Sequence, residues 1–200
     1  MILRLLFMSR TVQNAEQKQH AIVSAAEALF LQQGYGVISM DQIAKKAGVT
    51  KQTVYRYFAS KNELFAAVMQ RVQRAESEAY CFGSGTIDEE LSGFASYLLS
   101  FHLQEQALGL YRIMLTEAAQ ENLLTTFKNQ GPKHVLKPLI EYLSQQTQLE
   151  EPVFSAQMFA TMTLAPRNQM LMSKTNKMKR AAQKDHVLKV TKLFMNMIET

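Results

Sequence analysis

Ser39-Met40-Asp41-Gln42-Ile43-Ala44-Lys45-Lys46-Ala47-Gly48-Val49-Thr50-Lys51-Gln52-Thr53-Val54-Tyr55-Arg56-Tyr57-Phe58 is the stretch on which the reading of this chain turns. Ser39 with Gln42 three residues later is a capping-box start for a helix, whose inward face carries Ile43, Ala44 and Ala47. That helix stops at Gly48, and Ala47-Gly48-Val49 leaves three residues to reverse the chain. Glycine reaches the positive φ that so short a reversal needs, and apolar Val49 can pin the turn to a core. Thr50 then caps a short third helix that runs through Val54 to Phe58. Helices this short are unstable alone, so the two must hold each other, which is the helix-turn-helix arrangement.

Outward from this centre the pattern stays helical. Over residues 15–33, Ile22, Ala25, Ala26, Leu29 and Phe30 form one apolar stripe, closed by Gly34. Ser60 with Glu63 opens a fourth helix carrying Leu64, Phe65, Val68, Met69 and Val72. Beyond Tyr80, with Gly83-Ser84-Gly85 as a loop and Thr86 with Glu89 as another capping box, helices are expected near 87–103, 105–120, 122–148 (broken at Gly131-Pro132), 152–172 (kinked at Pro166) and 183–199. No segment alternates with the period of a strand. The fold class is all-α. The expected organisation is a flexible N-terminal extension at 1–14, a helix-turn-helix domain at 15–62 and a helical domain at 63–200. The first seven residues, MILRLLF, read as an upstream extension rather than a targeting signal, because no small-residue cleavage site follows them.

Composition narrows the function. Eight glycines and four prolines in 200 residues favour long helices, and the single cysteine, Cys81, excludes an internal disulfide framework and fits a cytoplasmic location. No apolar run is long enough to span a membrane. Residues 1–75 hold ten Lys/Arg against four acids, a net of +6, and residues 76–200 hold twelve against thirteen, a net of −1. A basic front on a near-neutral body is the footprint of a chain with one end on a polyanion.

The segment from Ser39 to Phe58, followed by Ser60-Lys61-Asn62-Glu63-Leu64-Phe65 and preceded by Ala25-Ala26, Leu29-Phe30 and Gly34-Tyr35, resembles the DNA-binding domain of the TetR family. The isoleucine-alanine pair, the AGV turn, the YRYF run and the SK step all stand at that family's spacing, over about residues 15–72. Leu110 to Leu143, with Tyr111-Arg112, Glu117-Ala118-Ala119, Phe127 and Gly131-Pro132, looks more loosely like the ligand-binding domain of the AcrR and AefR-like branch. The resemblance implies a homodimer with one DNA-reading head per subunit and a C-terminal helical ligand-binding and dimerisation domain. It also implies a palindromic double-stranded operator, released when a small hydrophobic effector changes the spacing of the heads. It implies no cofactor, no metal and no catalysis.

Carried over position by position, the resemblance places DNA contacts at Lys51, Gln52, Thr53, Tyr55, Tyr57 and Lys61, with Ser39 and Thr50 holding phosphates at helix N-termini. The chemistry fits: Lys51 suits guanine O6 and N7, Gln52 pairs bidentately with adenine, and the Thr53 methyl suits thymine. Lys61 opens a helix, the wrong end of the macrodipole for a cation, and is expected to hold an external anion. Plainer roles stay open beside these: Ser39, Thr50 and Ser60 suit helix caps, Tyr55 and Tyr57 suit a partly buried position, and Lys45 and Lys46 suit a solvated face.

In the body, bulky side chains recur at helical spacing, which is equally the pattern of a plain core. Phe101, His102, Tyr111, Arg112, Met114, Phe127, Phe159 and Met162 are the candidates for lining an effector pocket, with Arg112 paired to Glu117 or to an anionic ligand if buried. The last two helices carry the apolar stripes Phe154, Met158, Phe159, Met162 and Val187, Val190, Thr191, Phe194, Met197, Ile198, and the resemblance implies that these two helices pair with those of a second copy.

Two other classes remain at this stage. A helical enzyme or small-molecule carrier is disfavoured by the lack of HExxH, GxGxxG, phosphate-loop or paired-cysteine motifs. A non-specific nucleoid protein would bind DNA with steep salt dependence and no preferred sequence. As a base-reading residue, Lys51 on replacement by alanine is expected to relax specificity at one position of each half-site in a binding-site selection. As a phosphate contact, Lys61→Ala would weaken all DNA binding alike and lower the salt slope.

Overall fold

The computed structural model describes the backbone of residues 2–77, 80–121, 136–173 and 177–198 and the side chains of 13–72, 80–116, 136–173 and 177–198. Among the described residues there are ten helices and no strand. In chain order they are α1 (Ile2–Gln33), α2 (Met40–Ala47), α3 (Lys51–Tyr57), α4 (Lys61–Ser77), α5 (Ile87–His102), α6 (Glu105–Glu121), α7 (Lys137–Gln146), α8 (Pro152–Thr163), α9 (Ala165–Met172) and α10 (Arg180–Ile198). None is long and apolar enough to cross a membrane.

The chain divides into two compact units. One comprises Met1–Arg71 with Ile113–Phe127, the other Val72–Arg112 with Lys128–Thr200. Neither boundary falls at 62, where the sequence pattern suggested one. Leu64, Phe65, Val68 and Met69 of α4 are all buried, so this part of α4 shares the core of the preceding helices.

In the first unit the expected α1 stripe is entirely inward: Ile22, Ala25, Ala26, Leu29 and Phe30 are buried. The helix starts at Ile2 rather than near 15, because neither glycine nor proline interrupts residues 2–33. It ends at Gly34, whose N–H still reaches Phe30 O at 2.9 Å and whose φ of +87° then turns the chain out of the helix. Phe30, Tyr35 and Phe65 then meet in a three-ring cluster with centroids 5.2–5.7 Å apart. These rings join α1, the following turn and α4. Arg71 adds an ion pair to buried Glu27 and donates to Ser24 Oγ at 2.6 Å.

The second unit packs α5, α7, α8 and α10 around Leu91, Phe94, Leu98, Leu139, Leu143, Phe159, Val190 and Phe194. Thr86 and Glu89 form the expected capping box at the start of α5, with Thr86 N donating to Glu89 Oε2 at 2.9 Å. Glu90 receives the N–H groups of Gly83 and Gly85 and so closes the preceding loop. Of the long helix expected at 122–148, α7 is the described part; the break at Gly131-Pro132 lies outside the described residues.

Two expectations are corrected here. The helix read as kinked over 152–172 is two helices, parted at Leu164 (φ −89°, ψ 4°). Pro166 has no N–H to give to Met162 O, and His186 Nε2 of α10 donates to Met162 O and Thr163 O instead, both at 3.1 Å. The α10 stripe expected to face a second copy is used within the chain: Val187, Val190, Thr191 and Phe194 are buried in this unit. The large apolar side chains left exposed on α8 and α10 are Val153, Phe154, Leu188, Leu193 and Met197.

The Arg71–Glu27 pair yields a stability prediction. Removing the guanidinium takes the Arg71 charge away from a Glu27 side chain that is only 5% exposed. Arg71→Ala is expected to cost about 2–3 kcal/mol in denaturant unfolding, discounted from the fully buried case because Arg71 is a third exposed. Glu27→Leu combined with Arg71→Leu should recover most of that loss; a double variant as unstable as Arg71→Ala would show that packing, not charge, sets the effect.

Candidate nucleic-acid interface

The geometry of α2 and α3 is set by caps at each end. Gln42 N donates to Ser39 Oγ at 3.3 Å while Ser39 N donates to Gln42 Oε1 at 2.7 Å, the reciprocal box expected at the start of α2. Gly48 ends α2 at φ +67°, ψ 31°, and Val49 N reaches back to Ala44 O at 3.0 Å. A side chain at Gly48 would meet no neighbour, so the constraint there is the backbone angle alone. Thr50 caps α3 by accepting from Thr53 N at 3.2 Å.

Within α3, Val54 is fully buried, and Phe58 just beyond it nearly so. Burying that side turns Lys51, Gln52, Tyr55 and Arg56 outward, while Thr53 and Tyr57 are half-buried. Tyr55 is 46% exposed, large for an aromatic ring. Arg56 lies over the Tyr57 ring, 5.3 Å from its centroid. Thr53 shares a hydroxyl contact with Thr50 at 2.9 Å, so both side chains serve the start of α3.

Two lysines behave differently from the sequence expectation. Lys51 pairs with Asp41 of α2, with Nζ 2.9 and 3.0 Å from the two carboxylate oxygens. The hydrogen bond to Asp41, and then its charge, raise the ammonium above its ordinary range. Lys61 was expected to hold a phosphate. Its ammonium instead donates to three backbone carbonyls, Tyr35 O at 2.9 Å, Ile38 O at 3.1 Å and Gly36 O at 3.3 Å, and lies 4.2 Å from the Tyr35 ring centroid. An ammonium has three N–H donors, and all three are engaged. Beside it Tyr35 donates its hydroxyl to Asn62 Oδ1. The first turn of α4 thereby fastens the α1–α2 turn. Nothing in local sequence signals this bond, whose partners are 23–26 residues apart.

The residues proposed for an effector scatter. In the second unit His102 is 4% exposed and stacks on Tyr111, with ring centroids 5.4 Å apart, and Phe101 meets His102 edge-on at 5.8 Å. Arg112 donates to Met170 O at 2.8 Å and Ser173 O at 3.3 Å, at the end of α9. Its expected partner Glu117 has a side chain outside the described residues. Phe159 is core, packed on Phe194 at 4.8 Å, and Met162 lies half-buried against the same core. Met114 is buried in the first unit, and Phe127 lies outside the described residues. The sequence reading missed Arg167, whose guanidinium joins His102 and Tyr111. It also missed an open groove of about 530 Å³ along α9 and α10, lined among others by Pro166, Met170, Met178 and His186.

Comparison with known proteins bears on both parts of the chain. Residues 22–68 match the bacterial regulatory proteins of the tetR family, and residues 89–197 match the AefR-like transcriptional repressor C-terminal domain. A curated relative, the HTH-type transcriptional activator FasR of Mycolicibacterium smegmatis, is 41% identical over 56 residues, which is 28% of this chain and 26% of that protein. The HTH-type transcriptional regulator AcrR of Shigella flexneri is 38% identical over 61 residues, 30% of this chain and 28% of its own length. The chain thus matches little more than a quarter of the length of these curated relatives. Solved structures match more widely. A TetR-family transcriptional regulator from Mesorhizobium loti is similar at a TM-score of 0.74 and 26% identity, over 92% of this chain and 97% of that one. The flavonoid-responsive regulator FrrA is similar at a TM-score of 0.75 and 25% identity, over 91% and 97%.

The engaged ammonium of Lys61 changes what its removal should do. Lys61→Ala is expected to lower unfolding stability by about 2 kcal/mol, the scale of a hydrogen bond to a charged group, and to leave the salt slope of DNA binding at the wild-type value. A slope reduced by roughly 0.9 with stability unchanged would mean a lost phosphate contact instead.

Proposed function

The chain belongs to the tetR family of bacterial regulatory proteins, and we propose that it is a one-component transcription factor whose α3 reads a palindromic operator and whose affinity for that operator is set by a small hydrophobic effector. The observation that carries this reading is the outward row of α3, Lys51, Gln52, Tyr55 and Arg56, standing opposite buried Val54. A short rigid helix with its polar side chains turned out is the shape that enters a major groove.

The roles divide by chemistry. Lys51 and Gln52 read base edges, and the Thr53 methyl approaches a thymine. Tyr55 and Tyr57 reach base or phosphate, and the N–H groups behind Ser39 and Thr50 face phosphates. Lys61 acts from behind by holding the α1–α2 turn. Two copies present two such heads, and the exposed Phe154 of α8 with Leu188, Leu193 and Met197 of α10 supply apolar surface for pairing through the last helices. The effector is held in the helical body around Phe101, His102 and Tyr111. Repression with release by the effector fits the relatives named as repressors or as responsive to a small molecule.

Selection of bound sequences from a random DNA pool tests this. A palindrome with half-sites about one helical turn apart is expected. Lys51→Ala and Gln52→Ala should each relax a different base of the half-site, by about 1–3 kcal/mol of discrimination. Enrichment of no sequence by the effector-free, refolded protein, or a motif left unchanged by both substitutions, would overturn the assignment.

A further inference from the structure

We propose that Arg167, His102 and Tyr111 form the anion-binding end of the effector site, and that the effector is a small organic carboxylate. This rests on the ligand-responsive reading above and adds the chemical class of the ligand.

The argument begins with Arg167, in the first turn of α9. Its guanidinium lies 4.9 Å from the centroid of the Tyr111 ring, and Nη1 is 3.3 Å from His102 Nδ1. A guanidinium only donates, so Nδ1 accepts and the imidazole proton sits on Nε2. The remaining contacts are from Nε and Nη2 to the neutral Oδ1 of adjacent Asn168, at 3.4 and 3.2 Å. Among the described residues no carboxylate pairs with Arg167, whereas Arg71, Lys51, Lys137, Lys177 and Lys189 each have one. The guanidinium is therefore part-buried against an aromatic face and a buried histidine, with no counter-charge among the described residues.

The surroundings add to the positive potential. Arg167 lies at the N-terminal end of α9, where the helix already carries partial positive charge and where Leu164 supplies no side-chain cap. At the opposite end of α9, Arg112 is bound to the carbonyls of Met170 and Ser173. That contact satisfies Arg112 within the protein and anchors the helix that presents Arg167. A planar fork over an aromatic ring, beside an imidazole, suits a bidentate carboxylate. Half-buried Phe101, edge-on to His102, supplies apolar surface for the rest of a small molecule, while the Tyr111 ring backs the guanidinium and the imidazole.

The test uses the full-length protein and three matched pairs of probes: formate and formamide, benzoate and benzamide, octanoate and octanamide. Each is added at equal ionic strength, and thermal unfolding is followed. At least one carboxylate should raise the Tm of the wild type above the effect of its amide, and Arg167→Gln should abolish that preference. Arg167→Lys keeps the charge without the fork and should retain a reduced preference, which separates loss of the anion site from loss of folding. Carboxylates and amides acting alike in all three pairs, or Arg167→Gln keeping the preference, would overturn the proposal. Operator binding on the same samples separates the two readings. A carboxylate that binds through Arg167 and leaves DNA affinity unchanged upholds the site and removes its regulatory role. Operator release by the amides, retained in Arg167→Gln, does the reverse.

Discussion

Burial of Val54 is the constraint on which the reading surface depends. Seven residues do not form a stable helix in water, so α3 exists because one side of it is fixed against the core. Val54 is its fully buried residue, and Phe58 anchors the chain as it leaves. Once those two are inward, the 3.6-residue period leaves Lys51, Gln52, Tyr55 and Arg56 no choice but to face out. The stiffness of that surface comes from further back. Ile43 of α2 is buried, Phe30 and Tyr35 pack on Phe65 of α4, and Lys61 ties three carbonyls of the intervening turn to α4. A polar side chain on α3 is thus positioned by apolar groups two layers behind it.

The second unit obeys a different rule. There the helices are longer and the core larger, and polar side chains satisfy helix ends broken within it. Pro166 stops α8 from continuing, His186 takes the carbonyls released, and Arg112 closes the far end of α9. The short helix α9 is therefore held by contacts from α6 at one end and follows a junction braced by α10 at the other. Its eight residues include none that is fully buried, so its place is fixed by these polar contacts more than by apolar packing.

What was legible in the sequence follows from distance along the chain. Capping boxes at Ser39–Gln42 and Thr86–Glu89 span three residues and could be read directly. The reversal at Gly48 and the inward stripe of α1 are equally local, whereas the contact positions on α3 came from the resemblance, and the outward side chain of Arg56 is visible only once Val54 is seen buried. Lys61 shows the limit. Helix position suggested an external anion, while the anions it found are carbonyl oxygens more than twenty residues earlier. The α10 stripe failed for a related reason: periodicity says that one face is apolar, and says nothing of whether its neighbour is the same chain or another. Arg167 was invisible because its meaning lies in Tyr111 and His102, more than fifty residues away.

The pairing of Lys51 with Asp41 has a consequence for how such a head would search DNA. An ammonium already satisfied by a carboxylate gains little by exchanging it for a phosphate, since one anion replaces another and the displaced acid then faces the polyanion. The exchange becomes favourable where a base edge offers geometry that Asp41 does not. Asp41 would act as a built-in decoy, weakening the grip on arbitrary sequence more than the grip on the right one. If α3 reads base edges as proposed, part of its discrimination would then come from an acidic residue that never needs to touch a base, an effect kept modest because both side chains are more than half exposed.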